Sequence, residues 1–179
     1  MSEAPDRAGA ALLRHFLAAL AYRTQKALRD APPEFADFRA APNVRTPREL
    51  VWHMTGVIGY ARTQFTGGVW RPDLEPTFDA EVERFHEVLE DTARHLDKGQ
   101  PPAGFTFAQL LQGPFADAMT HAGQLAMLRR LCGAPVPPEN FLLADVRGDN
   151  LGAEQPAPRA PKEGWRPDQP PPAPGRPLR

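Results

Sequence analysis

Apolar residues recur at spacings of three and four in four stretches of this chain, which is the period of amphipathic α-helices. The first stretch runs from about Arg7 to Arg29. The second begins at Thr46, with Pro47 at the first helical position and Glu49 completing a capping box. Gly67 is predicted to end this helix, so the sequence predicts both of its ends as well as its interior.

The third helix is predicted over about Thr77 to Leu96, and the fourth follows the Gly113-Pro114 joint. A short helix from about Thr106 to Gln112 is expected before that joint. The stretch from Glu34 to Arg45 has no sustained period and is expected to be a loop. Because no stretch alternates like a strand, the prediction is an all-α fold, an up-down four-helix bundle over residues 8 to 132.

Proline placement divides the 179 residues into two parts. The chain has 22 prolines, and they are concentrated after Ala153. Residues 1–152 are therefore predicted to form the helical bundle, with Ala134 to Val146 folding back over it. Residues 153–179 are expected to be an extended or disordered Pro-rich tail.

The charge balance limits the partners expected for this protein, and the single cysteine indicates its cellular environment. A net charge of −1 gives no reason to expect nucleic acid or an anionic membrane surface as a partner. Cys132 has no internal disulfide partner, which favours a reducing, cytoplasmic environment. No signal peptide and no apolar run long enough for a membrane span are recognised. A soluble cytoplasmic protein is expected.

Asp117 and His121 are the residues whose spacing suggests chemistry. Residues four apart project from the same face of a helix, so a carboxylate and an imidazole can bind one divalent ion. His53 lies beside the apolar stripe of the second helix and can supply a third ligand. Three protein ligands leave coordination positions open, as catalytic metal sites do.

The order of these motifs resembles a known family. The sequence His121-Ala-Gly-Gln124, with the helix that follows it, is similar to the last helix of the DinB/YfiT-like proteins, over roughly residues 8 to 152. The resemblance implies a four-helix bundle, a homodimer, and metal ligands at His53, Asp117 and His121. It differs at Asp117, where the family usually has His.

Residue types leave the identity of the metal open. Two imidazoles and one carboxylate suit Zn²⁺, but also Fe²⁺, Ni²⁺ or Mn²⁺. Gln124 shares the face of Asp117 and His121, and it is either a residue that orients a ligand or a buried packing amide. Tyr22 and Tyr60 are possible hydroxyl donors near the site.

The remaining histidines and the fourth helix have ordinary interpretations. His15 flanks the first apolar stripe and is expected to be a half-buried packing residue, while His86 and His95 fall off the third stripe and are expected in solvent. The fourth helix is nearly all apolar apart from its Asp–His pair, which predicts a central, buried position for it.

Two functions of different classes follow. The resemblance implies a metal-dependent enzyme acting on a small-molecule substrate, with a low-molecular-weight thiol as possible cosubstrate, and S-transfer, isomerisation and hydrolysis all remain open. The alternative is a non-catalytic, stress-related scaffold that uses the Pro170–Pro174 stretch as a polyproline contact.

Overall fold

A computed structural model describes residues 6–99, 101–159 and 161, and these residues form an all-helical structure. Its α-helices are α1 (Arg7–Leu28), α2 (Pro47–Thr66), α3 (Phe78–Leu96), α4 (Phe107–Leu110) and α5 (Ala116–Leu131). Within the described ranges there is no β-strand, and Glu139 and Pro161 form an isolated antiparallel bridge. No helix among them is long and apolar enough to cross a membrane.

Helices α1, α2 and α3 begin where the sequence provides caps. Asp6 accepts from the backbone N–H of Gly9 at the start of α1, and Thr77 does the same for Ala80 at the start of α3. The capping box predicted for α2 is present in both directions. At its other end Gly67 has φ +73°, a conformation that favours glycine.

One apolar core joins the four long helices. Helices α1 and α2 each pack against both α3 and α5. The largest fully buried side chains come from all of these elements and their connections: Tyr22, Phe35, Phe85, Phe115, Leu17, Leu20, Met54, Ile58, Leu89, Leu96, Leu125 and Leu128. Burial of this set is the main stabilising term of the fold.

Two connections are more regular than the sequence indicates. A 3₁₀ helix, Pro33–Asp37, interrupts the predicted loop between α1 and α2, and it exists because Phe35 inserts fully into the core. A kinked π-helical turn, Leu111–Phe115, joins α4 to α5 at the predicted Gly113-Pro114 joint. The short helix α4 is accordingly smaller than the sequence predicts.

The segment after α5 lies along α1 and α3. The Arg14 guanidinium donates to the carbonyl of Gly148, and Arg29 donates to the carbonyl oxygens of Gln155 and Pro156 at 2.8 and 3.0 Å. Residues 153–159 have no helix or strand. The Pro170–Pro174 stretch lies outside the described residues.

His86 is buried, so the expectation that it lies in solvent is wrong. Its side chain is 4 % exposed, and Nδ1 is 2.6 Å from the carbonyl oxygen of Leu151. The segment after α5 covers a part of α3 that the helical pattern alone treats as surface. The apolar period of α3 cannot show this contact, because the covering residues are 65 positions further along the chain.

Candidate metal centre

Helix α2 places His53 at the edge of the core. The capping box fixes where α2 begins, and Arg39 donates to both oxygens of Glu49 at 3.0 and 3.1 Å. Leu50 and Met54 are buried on either side of His53 in sequence. The rotation of α2 is thereby set, and the His53 side chain is left 28 % exposed, facing α5.

The π-helical turn places Asp117 in the first turn of α5. Gly113 has φ −95° and ψ −106°, which is not helical, and Pro114 has no N–H to donate. The turn therefore interrupts the helical periodicity between α4 and α5, so the directions of the α5 side chains do not continue those of α4. Asp117 follows at the amino end of α5, where a carboxylate is favoured by the helix dipole.

His53, Asp117 and His121 lie together. His53 Nε2 is 3.3 Å from Asp117 Oδ2, and His121 Nε2 is 3.3 Å from Asp117 Oδ1. The two imidazole rings are edge to face, with centroids 4.7 Å apart and an interplanar angle of 83°. One ligand atom from each residue lies within 4.8 Å of the others.

These separations fit a divalent ion. Two ligands each about 2.1 Å from one ion, at angles of about 90–110°, are about 3.0–3.4 Å apart. Both nitrogen–oxygen distances of 3.3 Å fall in that range, although each runs to a different oxygen of Asp117. The donor set of two imidazoles and a carboxylate suits Zn²⁺ and other transition metals. The cluster could therefore hold a metal ion.

Gln124 orients the ring of His121. Its Oε1 lies 3.0 Å from His121 Nδ1. Because a carbonyl oxygen only accepts, Nδ1 carries a proton, which leaves Nε2, the ring nitrogen that faces Asp117, as the one that could bind a metal ion.

The charge around His53 disfavours its protonated form. Burial lowers the pKa of His53, the electrostatic influence of Arg45 and of His121 lowers it further, and Asp117 partly offsets these effects. A neutral imidazole is the form that binds metals.

Two open clefts are each lined by one residue of the cluster. One, of ≈ 570 Å³, is lined by His121 and Gln124 together with Arg45. The other, of ≈ 550 Å³, is lined by Asp117 and Tyr60. The cluster is therefore accessible from two sides to molecules of moderate size.

Three expectations about the surroundings need correction. Helix α5 is not fully buried: the Asp117 side chain is 45 % exposed, and Gln124 is exposed rather than a buried packing amide. Gly123, Gln124 and Met127 leave one face of α5 exposed within the described part of the chain, and the apolar composition of the helix does not predict this. Tyr22 is remote from the cluster, since its hydroxyl donates to Glu139 Oε1 at 2.8 Å. Of the two tyrosines, Tyr60 is the one beside the cluster.

Arg45 is a residue of the site that the sequence patterns do not identify. It lies in the loop before α2, where no helical period applies, and it reaches the cleft because that loop is folded back. Asn43 adopts φ +64° in the same loop, and the Arg39 guanidinium donates to the carbonyl of Val44. An arginine in an irregular segment has no sequence signal beyond its charge.

In comparisons with known proteins, no family model, no curated protein and no solved structure matches the chain.

Proposed function

We propose that this protein is a divalent-metal-dependent enzyme of the DinB/YfiT-like kind, with His53, Asp117 and His121 as the metal ligands. The observation that supports it most is the proximity of three ligand atoms from α2 and α5 within 4.8 Å. His53 and His121 are 68 residues apart, so helical periodicity alone does not bring them together. A bound divalent ion would lower the pKa of a coordinated thiol or water and so supply a nucleophile at neutral pH.

The proposed fold is the up-down four-helix bundle of that family. Its support is the packing of α1 and α2 against both α3 and α5, with the ligands on facing helices. The setting we propose is cytoplasmic, with a small-molecule substrate.

Each residue of the cluster has a distinct part in the proposed chemistry. Asp117 contributes the negative charge that favours a divalent ion, and Gln124 holds His121 with Nε2 free to bind. Arg45 places a positive charge on the cleft that His121 lines. An anionic small molecule, such as a low-molecular-weight thiol with a carboxylate, fits that cleft better than a neutral one. Thiol transfer, isomerisation and hydrolysis are each compatible with this arrangement.

The test is metal content followed by thiol consumption. Protein purified without added metal is analysed for Zn, Fe, Ni and Mn, and then incubated with a carboxylate-bearing thiol and electrophiles while free thiol is measured. Wild-type protein should contain about one equivalent of metal, and Asp117→Ala should lose it while keeping its helical circular dichroism. Asp149→Ala is the matched control, because Asp149 is exposed and outside the cluster.

The outcomes separate the alternatives. Equal metal content in wild type and Asp117→Ala, or none in either after metal is supplied, contradicts the proposal. Metal that depends on Asp117, with no consumption of any thiol or substrate, supports the non-catalytic scaffold instead.

We also propose a homodimer, because several large apolar side chains remain exposed, Val69 and Leu142 among them. Light scattering at micromolar concentration should give twice the chain mass of 19.7 kDa. A mass of one chain over the whole concentration range excludes it.

A further inference from the structure

A second cavity lies on the side of α5 opposite the His53–Asp117–His121 cluster. Its volume is ≈ 210 Å³, and it is enclosed by α1, α5 and the segment from Val136 to Phe141. Residues 119, 122, 123, 126 and 130 of α5 line it, whereas 117, 121 and 124 face the cluster. The two sites therefore share a helix but no lining residue.

Positive charge dominates this cavity. Arg23, Lys26 and Arg130 line it, and Glu139 is the acidic residue among its lining side chains. Glu139 Oε1 accepts from the Tyr22 hydroxyl at 2.8 Å and from the backbone N–H of Arg159 at 3.1 Å, whereas Oε2 of the same carboxylate is buried without a hydrogen-bond partner. Within the described part of the chain, no carboxylate lies within 4.0 Å of a charged nitrogen of the three cations.

Lys26 is the unusual member of this set, because it is only 8 % exposed. Its ammonium donates to the carbonyl of Pro137, and an ammonium has three protons to donate. Desolvation by burial lowers the pKa of Lys26, and the negative charge of Glu139 offsets this only in part. A buried cation is costly unless it is paired, so an anion beside Lys26 would be strongly favoured.

Gly123 lines the cavity and is itself exposed. A Cβ at this position would meet no other atom within 4 Å, so close packing does not require glycine there. Glycine inside a helix costs roughly 0.5–1 kcal/mol relative to alanine. The space beside Gly123 and Ala122 is available to an apolar group.

We propose that this cavity, here called the Lys26 cavity, binds a small organic carboxylate. The carboxylate would pair with the Lys26 ammonium, with Arg23 and Arg130 contributing charge at the exposed mouth. A compact apolar body would lie over Ala122 and Gly123. The volume of ≈ 210 Å³ equals about seven waters at about 30 Å³ each, which is the size of a small aromatic or branched acid.

The experiment titrates the full-length protein with benzoate and with benzamide, its neutral equivalent of the same shape, by calorimetry after metal has been removed. Benzoate should bind at least tenfold more tightly than benzamide. Lys26→Met, which keeps the apolar stem but removes the charge, should weaken benzoate binding at least tenfold. Lys98→Met is the matched control, since Lys98 is exposed and outside the cavity.

A second variant keeps the test informative if Lys26→Met does not fold. Gly123→Leu should fill the cavity and abolish benzoate binding without loss of helical circular dichroism. His121→Ala should bind benzoate as wild type does, because the metal cluster is a separate site. Equal affinity for benzoate and benzamide, no binding of benzoate, or full binding by Gly123→Leu would each overturn the proposal.

Discussion

Gln124 shows how one polar side chain prepares another for binding. Its hydrogen bond to His121 Nδ1 selects the tautomer and fixes the ring, although Gln124 itself is exposed. Partners of this kind typically change metal affinity by 10–100-fold when removed. Gln124→Ala should therefore weaken metal binding by about tenfold or more, measured by competition with a chelator of known affinity.

The control for that change is Leu131→Ala, at an exposed position of the same helix that lines neither cleft. It should leave metal affinity within about twofold of wild type. Equal affinity for wild type and Gln124→Ala would mean that the hydrogen bond does not orient a ligand.

Gly56 and Gly59 lie less than one turn apart on α2 but have different surroundings. A Cβ at Gly59 would overlap the Trp70 indole, whereas a Cβ at Gly56 meets nothing within 4 Å. Gly59→Ala should lower the free energy of unfolding by about 1–3 kcal/mol through overpacking. Gly56→Ala should raise it by roughly 0.5–1 kcal/mol through helix propensity. Urea denaturation measures the free energy of unfolding of both variants. Changes of the same sign in the two would contradict the close packing of Trp70 against Gly59.

At the scale of elements, the start of α2 connects local sequence to the position of His53. Thr46 Oγ1 accepts from the Glu49 N–H at 3.2 Å, and the Thr46 N–H donates to Glu49 Oε2 at 2.7 Å. Thr46→Ala removes the first of these bonds. The free energy of unfolding should fall by about 1 kcal/mol.

Chemical denaturation with Thr66→Ala as reference tests this expectation, because Thr66 is exposed at the other end of the same helix. That reference should change stability by less than about 0.5 kcal/mol. A loss at Thr46 no larger than at Thr66 would show that the capping box does not stabilise α2.

The sequence predicts the elements whose signals are local. The bounds of α1, α2 and α3 follow from apolar period and caps such as Thr46, and the proximity of Asp117 and His121 follows from their spacing. The exposure of one face of α5 cannot be predicted from the sequence, since it depends on which elements pack against that helix. The position of Arg45 at the cleft cannot be predicted either, because an irregular loop has no periodic hydrophobic pattern.

For the whole molecule, His86 links the body of the helices to the segment that follows α5. Its Nδ1 donates to the Leu151 carbonyl at 2.6 Å, so its Nε2 accepts from the Gln25 side-chain amide at 2.7 Å. The contact with Gln25 needs the neutral ring, because a protonated Nε2 cannot accept, whereas the Nδ1–H donates to Leu151 in either protonation state. Burial lowers the pKa of His86, and the bond to Leu151 offsets this only in part.

The sign of the pH effect follows from this depressed pKa. The unfolded chain binds a proton at His86 near pH 6.5, before the folded protein does, so stability falls as the pH decreases below that value. Between pH 7 and 5 the wild type should lose more stability than His86→Gln, by urea unfolding at each pH. His15→Gln, a change at an exposed histidine, should follow the wild type. Identical pH slopes for wild type and His86→Gln would rule out this linkage.

Binding of one ion by His53, Asp117 and His121 depends on the whole molecule, because the packing of the bundle must hold α2 and α5 together. The most direct measurement is anomalous diffraction at the zinc edge from crystals grown with zinc. We predict one anomalous peak about 2.0–2.2 Å from a nitrogen of His53, a nitrogen of His121 and an oxygen of Asp117. Well-ordered crystals with no peak among these three residues, or with Asp117 paired to an arginine instead, would contradict it.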